Sequence, residues 1–221
     1  MFSKSITAFV GLCLMAAAPG HAQSDTERAA APVSIMFPGL GEYLALDEGA
    51  RSHFTIEYVL TSLSDADKDF DVWIDTETGK ASIDRAADGV VDIDTVAPFV
   101  ESNPMVMISL PEGDGALNLM LVPALELTRE IAIEDICLAL EQAKDAAANS
   151  DGMIAEMAPA LKGIGFELSP ETDVRLRKDD LSEEVIVESH SRAWIEPTDE
   201  ICDAGGAMLF SKPALDTEYS Q

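Results

Sequence analysis

Hydrophobic and polar positions alternate along much of the chain. In "HFTIEYVLTSL" (residues 53 to 63), Phe54, Ile56, Tyr58 and Leu60 alternate with polar Thr55, Glu57 and Thr61. A period of two held over that length predicts a strand with one buried face. "DFDVWID" reads the same way, with Phe70, Val72 and Ile74 on one face and Asp69, Asp71, Trp73 and Asp75 on the other. That pattern marks Trp73 as a candidate exposed contact beside negative charge. "TETGK" then makes a hairpin connection, with Gly79 suited to a positive φ, and "ASID" returns along it.

Further apolar runs follow the same rhythm. Val33 to Phe37 opens the folded part and Pro38-Gly39-Leu40-Gly41 turns the chain; strand patterns recur at Val90 to Val96, Met105 to Leu110 and Ala116 to Val122. They resume at Asp173 to Lys178, Glu183 to Glu196 and Ala207 to Phe210, with turn signals such as Asp88-Gly89 and Ser102-Asn103-Pro104 between runs. Near residue 133 the period changes. Ile133, Ile136, Cys137, Leu140, Ala143 and Ala147 fall at helical spacing, with Glu134 and Asp135 at the positive end of the helix dipole. Met153, Ile154, Met157, Ala160 and Leu161 make a second helical stripe, which Pro159 kinks and Gly163 and Gly165 stop. The fold class is therefore α+β: a mainly antiparallel sheet or sandwich of about eight to ten strands, with a two-helix hairpin inserted near residues 133–163.

The N-terminus changes where this body is expected to reside. Lys4, the 13-residue apolar run Ile6 to Ala18, and small residues at Gly20 and Ala22 match a secretory signal peptide over residues 1–22, cleaved after Ala22. The run is shorter than the roughly 20 apolar residues of a spanning helix, so no transmembrane segment is expected in the mature chain. Polar, alanine-rich residues 23–32 read as a flexible leader, and 33–221 as a single β-rich domain. The expected localisation is periplasmic or secreted.

Charge narrows the partners. The chain carries 41 acidic against 14 basic residues, and loss of the signal peptide removes Lys4 and no acid. Such a surface repels nucleic acid and anionic lipid, and attracts cations or a basic partner. It also keeps the protein soluble. Two cysteines, Cys137 and Cys202, remain after export and are expected to join in an oxidising compartment. In the chain-entropy model that staple contributes about 4 kcal/mol.

Candidate chemistry is sparse. The chain has no Gly-x-Ser-x-Gly, no His-Glu-x-x-His, no Walker-type phosphate loop and no Cys-x-x-Cys. Only His53 and His190 remain after export, so one chain cannot build an all-histidine metal site. His190, in "ESHS", is the candidate catalytic base, although on a strand Ser189 and Ser191 project away from it. Asp65, Asp67, Asp69 and Asp71 are the candidate calcium ligands. They fail the EF-hand template: counting from Asp65, Phe70 stands where glycine belongs and Thr76 where glutamate belongs. Counts from Asp75 and Asp84 also fail, ending on Ala86 and Thr95. A loop-bound Ca²⁺ outside that template is the one cofactor the stretch would admit; otherwise none is expected. The leading functional expectation is a non-enzymatic acidic protein, a binding or envelope-assembly accessory whose partner is an envelope protein or a cationic ligand. An envelope hydrolase using carboxylates or His190 is one alternative, and a calcium-dependent adhesion or matrix component another.

Overall fold

The computed structural model describes residues 28–65, 69–149, 155, 161–180, 182–187 and 191–220. Among them are thirteen strands in four sheets and a few helices, mostly short, a β-rich architecture in keeping with the alternation. None of the described helices is long and apolar enough to cross a membrane. The chain falls into two compact units that alternate along the sequence: Met1–Ala45 with Ile56–Met120, and Leu46–Thr55 with Leu121–Gln221.

In the first unit, β1 (Arg28–Pro32), β5 (Met105–Ile108), β3 (Val72–Thr76) and β4 (Gly79–Ser82) form an antiparallel sheet in that order. β1 shortens the leader expected over 23–32, because Arg28–Pro32 pairs with β5 and buries Ala30 and Ala31. Alanine carries too little hydrophobic contrast to announce a strand, yet its small side chain lets an edge strand lie close to its neighbour. Val33–Met36 is the short helix α1, and Leu40–Ala45 is α2.

β2 (Phe54–Ser62) buries every second residue, as its alternation predicts, and pairs with β6 (Gly115–Pro123) in a two-stranded sheet. Beyond its end, Asp114 is buried and its carboxylate accepts hydrogen bonds from Ser62 Oγ (2.9 Å), Ser64 N (2.7 Å) and Ser64 Oγ (2.9 Å). A carboxylate removed from water persists where several donors satisfy it, and these three do so.

Two expectations for this unit are corrected. Val90 to Val96 is not a strand: Ile93–Val96 is the helix α3, and the Asp92 carboxylate caps it by accepting from Asp94 N at 3.0 Å. The Asp-Ile-Asp-Thr alternation that imitates a strand is helix-capping chemistry. Trp73 is not an exposed contact either. It is only 4 % exposed. The Lys80 ammonium sits 3.9 Å from the ring centroid, and Trp73 Nε1 donates to Asp75 Oδ1 at 3.0 Å.

The second unit contains a 3-10 turn (Glu48–Arg51), β7 (Glu130–Ala132), α4 (Ile133–Asn149), β8 (Gly163–Glu167), β9 (Val174–Arg177) and β10 (Glu183–Val187). β11 (Arg192–Ile195), α5 (Asp199–Ala204), β12 (Ala207–Phe210) and β13 (Asp216–Ser220) complete it. One sheet runs β10-β9-β12-β7 and another β11-β8-β13, both antiparallel throughout. Ile133, Ile136 and Ala139 of α4 share a core with Ile164 and Phe166 of β8 and Met208 of β12. α4 thus buries the stripe its periodicity predicts. Its proposed hairpin partner, with Met153, Ile154, Met157 and Pro159, lies outside the described residues.

Gly163 and Gly165 do not stop a helix; they lie in β8, the central strand of its sheet. A Cβ on Gly163 would stand 2.2 Å from the Ile195 carbonyl oxygen, and one on Gly165 would stand 2.3 Å from the Trp194 ring. Close approach, rather than turning, is what these glycines provide. The apolar run from Glu183 to Glu196 likewise divides into β10 and β11, which belong to different sheets. Cys137 on α4 and Cys202 on α5 form the expected disulfide, with Cα atoms 6.1 Å apart, wholly inside this unit.

Candidate functional site

The acidic stretch does not assemble into a metal site among the described residues, where no group of three or more His, Cys, Asp or Glu side chains converges. Asp69 Oδ1 faces the Arg85 guanidinium at 3.4 Å, and that guanidinium stacks 4.0 Å from the Phe70 ring centroid. A fixed positive charge beside Asp69 opposes a second cation there. The Asp71 amide donates to Ser109 Oγ at 2.8 Å, and the Asp65 amide to Ser62 Oγ at 3.2 Å, so backbone bonds hold both positions. Asp67 and His190 lie outside the described residues.

The histidine that the second unit brings to a carboxylate is His53, which the sequence pattern did not single out. His53 Nε2 lies 3.4 Å from Asp135 Oδ1, and Nδ1 lies 2.8 Å from Ser52 Oγ. Serine, histidine and aspartate in a row are the residue types of nucleophilic hydrolysis. The remaining contacts describe a cross-tie. Ser52 Oγ also lies within bonding distance of the Gly49 carbonyl (3.1 Å), and Gln142 Nε2 donates both to that carbonyl (2.9 Å) and to Ser52 Oγ (3.1 Å). Gln142 Oε1 accepts from His53 N at 2.9 Å. The amide of Gln142 is thus spent on ground-state bonds and not held ready for a developing oxyanion. No spacing in the sequence connects His53 to α4; only tertiary packing does.

Asp135 also lines an open cavity of about 400 Å³, with Glu130, Arg177, Lys178, Asp179 and the Gly206 turn. Glu130 and Arg177 form an ion pair across it. Its charges largely answer one another, so it has little net pull on a charged ligand.

The outer face of the β11-β8-β13 sheet differs. Trp194 is 44 % exposed and lies across Gly165, where a Cβ would meet three carbons of its six-membered ring at 2.3 to 2.7 Å. Strand register places Trp194 opposite Gly165 and Gly165 opposite Glu218; the next row is Arg192, Glu167 and Asp216. Glu167, Asp216, Glu218 and Glu196 are all exposed, and Arg192 pairs with Glu218 at 3.0 Å. Alternation held the signal: Ala193 and Ile195 are buried, so Arg192, Trp194 and Glu196 must point outward.

Two phenols, the buried Tyr58 and the partly buried Tyr219, tie elements together within their own units. Tyr58 Oη donates to the Pro38 carbonyl at 2.6 Å, and Tyr219 Oη to the Ala139 carbonyl of α4 at 2.8 Å. Burial pushes both pKa values well above the ordinary 10.0, with the Glu42 charge adding to the effect at Tyr58. Because the folded values exceed the unfolded one, the protonated phenols stabilise the fold fully below pH 10 and lose that contribution as pH rises beyond it. The melting temperature is therefore expected to fall between about pH 10 and 11.5, and to fall less steeply in a Tyr58→Phe/Tyr219→Phe variant.

No family model, no curated protein and no solved structure matches this chain.

Proposed function

We propose that this is an exported protein, periplasmic or secreted, that works by binding rather than catalysis. It acts as an accessory to envelope assembly, and its partner presents positive charge. The observation that carries this reading is an excess of carboxylate that the chain's own cations do not answer. Four of its seven arginines, Arg85, Arg175, Arg177 and Arg192, are each already engaged by a carboxylate, while 41 acids stand against 14 bases overall. A surface of that kind speeds encounter with basic partners and turns away acidic ones. The signal-like N-terminus and the Cys137–Cys202 disulfide support export into an oxidising compartment.

Isothermal titration with a pentalysine peptide, against a pentaglutamate control, tests the reading. Pentalysine is expected to bind and pentaglutamate not; equal behaviour of the two would end it. A hydrolase is the second reading, favoured by the contact chain from Ser52 through His53 to Asp135. It requires turnover of esters or envelope polymers that Ser52→Ala removes, whereas the binding reading requires the parent and Ser52→Ala to be equally inactive.

A further inference from the structure

We infer that the outer face of the β11-β8-β13 sheet is the docking site for a lysine or arginine side chain of a basic partner, with Trp194 as the platform on which it lies. This deepens the binding reading above and rests on it. The first argument is shape. Gly165 leaves the space into which the indole settles, so one ring face rests on the sheet and the other is turned to solvent. A tryptophan needed only to cover a glycine would gain by burying both faces, as Trp73 does.

The second argument is charge. The same face carries four exposed carboxylates, from Glu167, Glu196, Asp216 and Glu218, against the guanidinium of Arg192, which pairs with Glu218. Directly opposed residues on neighbouring strands are about 5 Å apart and alternate residues along a strand about 7 Å, so a cation over the ring lies within reach of several of them. A neutral sugar could stack on the indole too. It would, however, cover an uncompensated negative field and lose the hydration of those carboxylates, whereas a cation replaces that hydration with direct pairing.

The third argument is that the same chemistry is already realised elsewhere in the chain. On Trp73 an ammonium, that of Lys80, sits over the indole of a strand tryptophan and a carboxylate, that of Asp75, lies beside it. Trp194 offers ring and carboxylates. A partner would supply the cation.

Titrating the full mature chain with pentalysine, in the parent, in Trp194→Ala and in Glu167→Gln/Glu196→Gln, tests the assignment. An uncharged N-acetylglucosamine tetramer serves as the comparison ligand. Trp194→Ala is expected to weaken pentalysine binding about five- to ten-fold, and the double glutamine variant, which leaves the indole in place, about three-fold or more. The tetramer is expected not to compete. If the parent binds pentalysine and both variants bind it equally well, the site is wrong while the binding reading stands. If the parent does not bind pentalysine, both fail. Tighter binding of the tetramer than of pentalysine overturns the choice of occupant.

Discussion

Gly206→Ala is expected to cost the second unit about 4 kcal/mol, a large share of the 5 to 15 kcal/mol by which ordinary domains are stable. Gly206 has φ +104°, and a Cβ there would lie 2.0 Å from the Arg177 carbonyl oxygen and 2.9 Å from both Arg177 C and Lys178 Cα. All three are backbone atoms. No rotamer change relieves the clash, so β9 and the start of β12 must separate, at the point where Ala207 pairs with both Arg177 and Ala132. Ile133 N, at the start of α4, also donates to the Gly206 carbonyl at 3.0 Å, so the displacement reaches the helix. Gly49→Ala is the control, because a Cβ at Gly49 meets nothing within 4 Å. Denaturant unfolding should show a much lower midpoint for Gly206→Ala and an unfolding free energy within about 0.5 kcal/mol of the parent for Gly49→Ala. Equal midpoints for parent and Gly206→Ala would mean that the turn is not packed as described.

Loss of the disulfide should act on the same unit with comparable size. Cys137 and Cys202 are 65 residues apart, and opening a loop of that length releases about 4 kcal/mol of unfolded-state entropy in the chain model. The bond also pins the short helix α5, which has no buried residues of its own, to α4. Scanning calorimetry in the presence of reductant should lower the melting temperature by roughly 10 to 20 °C. A Cys137→Ser/Cys202→Ser variant should melt at that lower temperature whether or not reductant is present. A parent indifferent to reductant would show that the bridge contributes nothing to stability.

The elements that could be read from the chain are those whose own side chains make the contrast. β2 alternates because one face of Phe54–Ser62 is buried and the other is not, and α4 shows its stripe because Ile133, Ile136, Leu140 and Ala143 all turn into the core. The elements that could not be read depend on something the pattern does not carry. β1 is built from alanines, β8 from glycines that allow close approach, and β13 from "DTEYS", which is polar because much of it faces outward. Val90 to Val96 reads as a strand because a capping aspartate and a hydrophobic residue alternate there just as they do in a strand, yet Ile93–Val96 is α3.

The two tryptophans exchange roles for the same kind of reason. Parity puts Trp73 on the same face as Asp75, but parity cannot report that Lys80 closes over the ring. Trp194 does not stand out in the sequence although Ala193 and Ile195 on either side mark it as outward-facing, because Glu183 to Glu196 reads as one continuous strand and hides the sheet to which β11 belongs. The contact of His53 with Asp135 had no local trace at all, since it exists only where the 3-10 turn packs on α4.

Binding to a basic partner through uncompensated carboxylate is the central claim, and its ionic-strength dependence is the most direct test. The screening length falls from about 30 Å at 0.01 M salt to about 8 Å at 0.15 M, so an attraction summed over many carboxylates must weaken steeply across that range. Titration of the mature chain with pentalysine at those two salt concentrations should show the affinity falling about ten-fold or more. An affinity that is the same at both concentrations, or no binding at either, would contradict the claim.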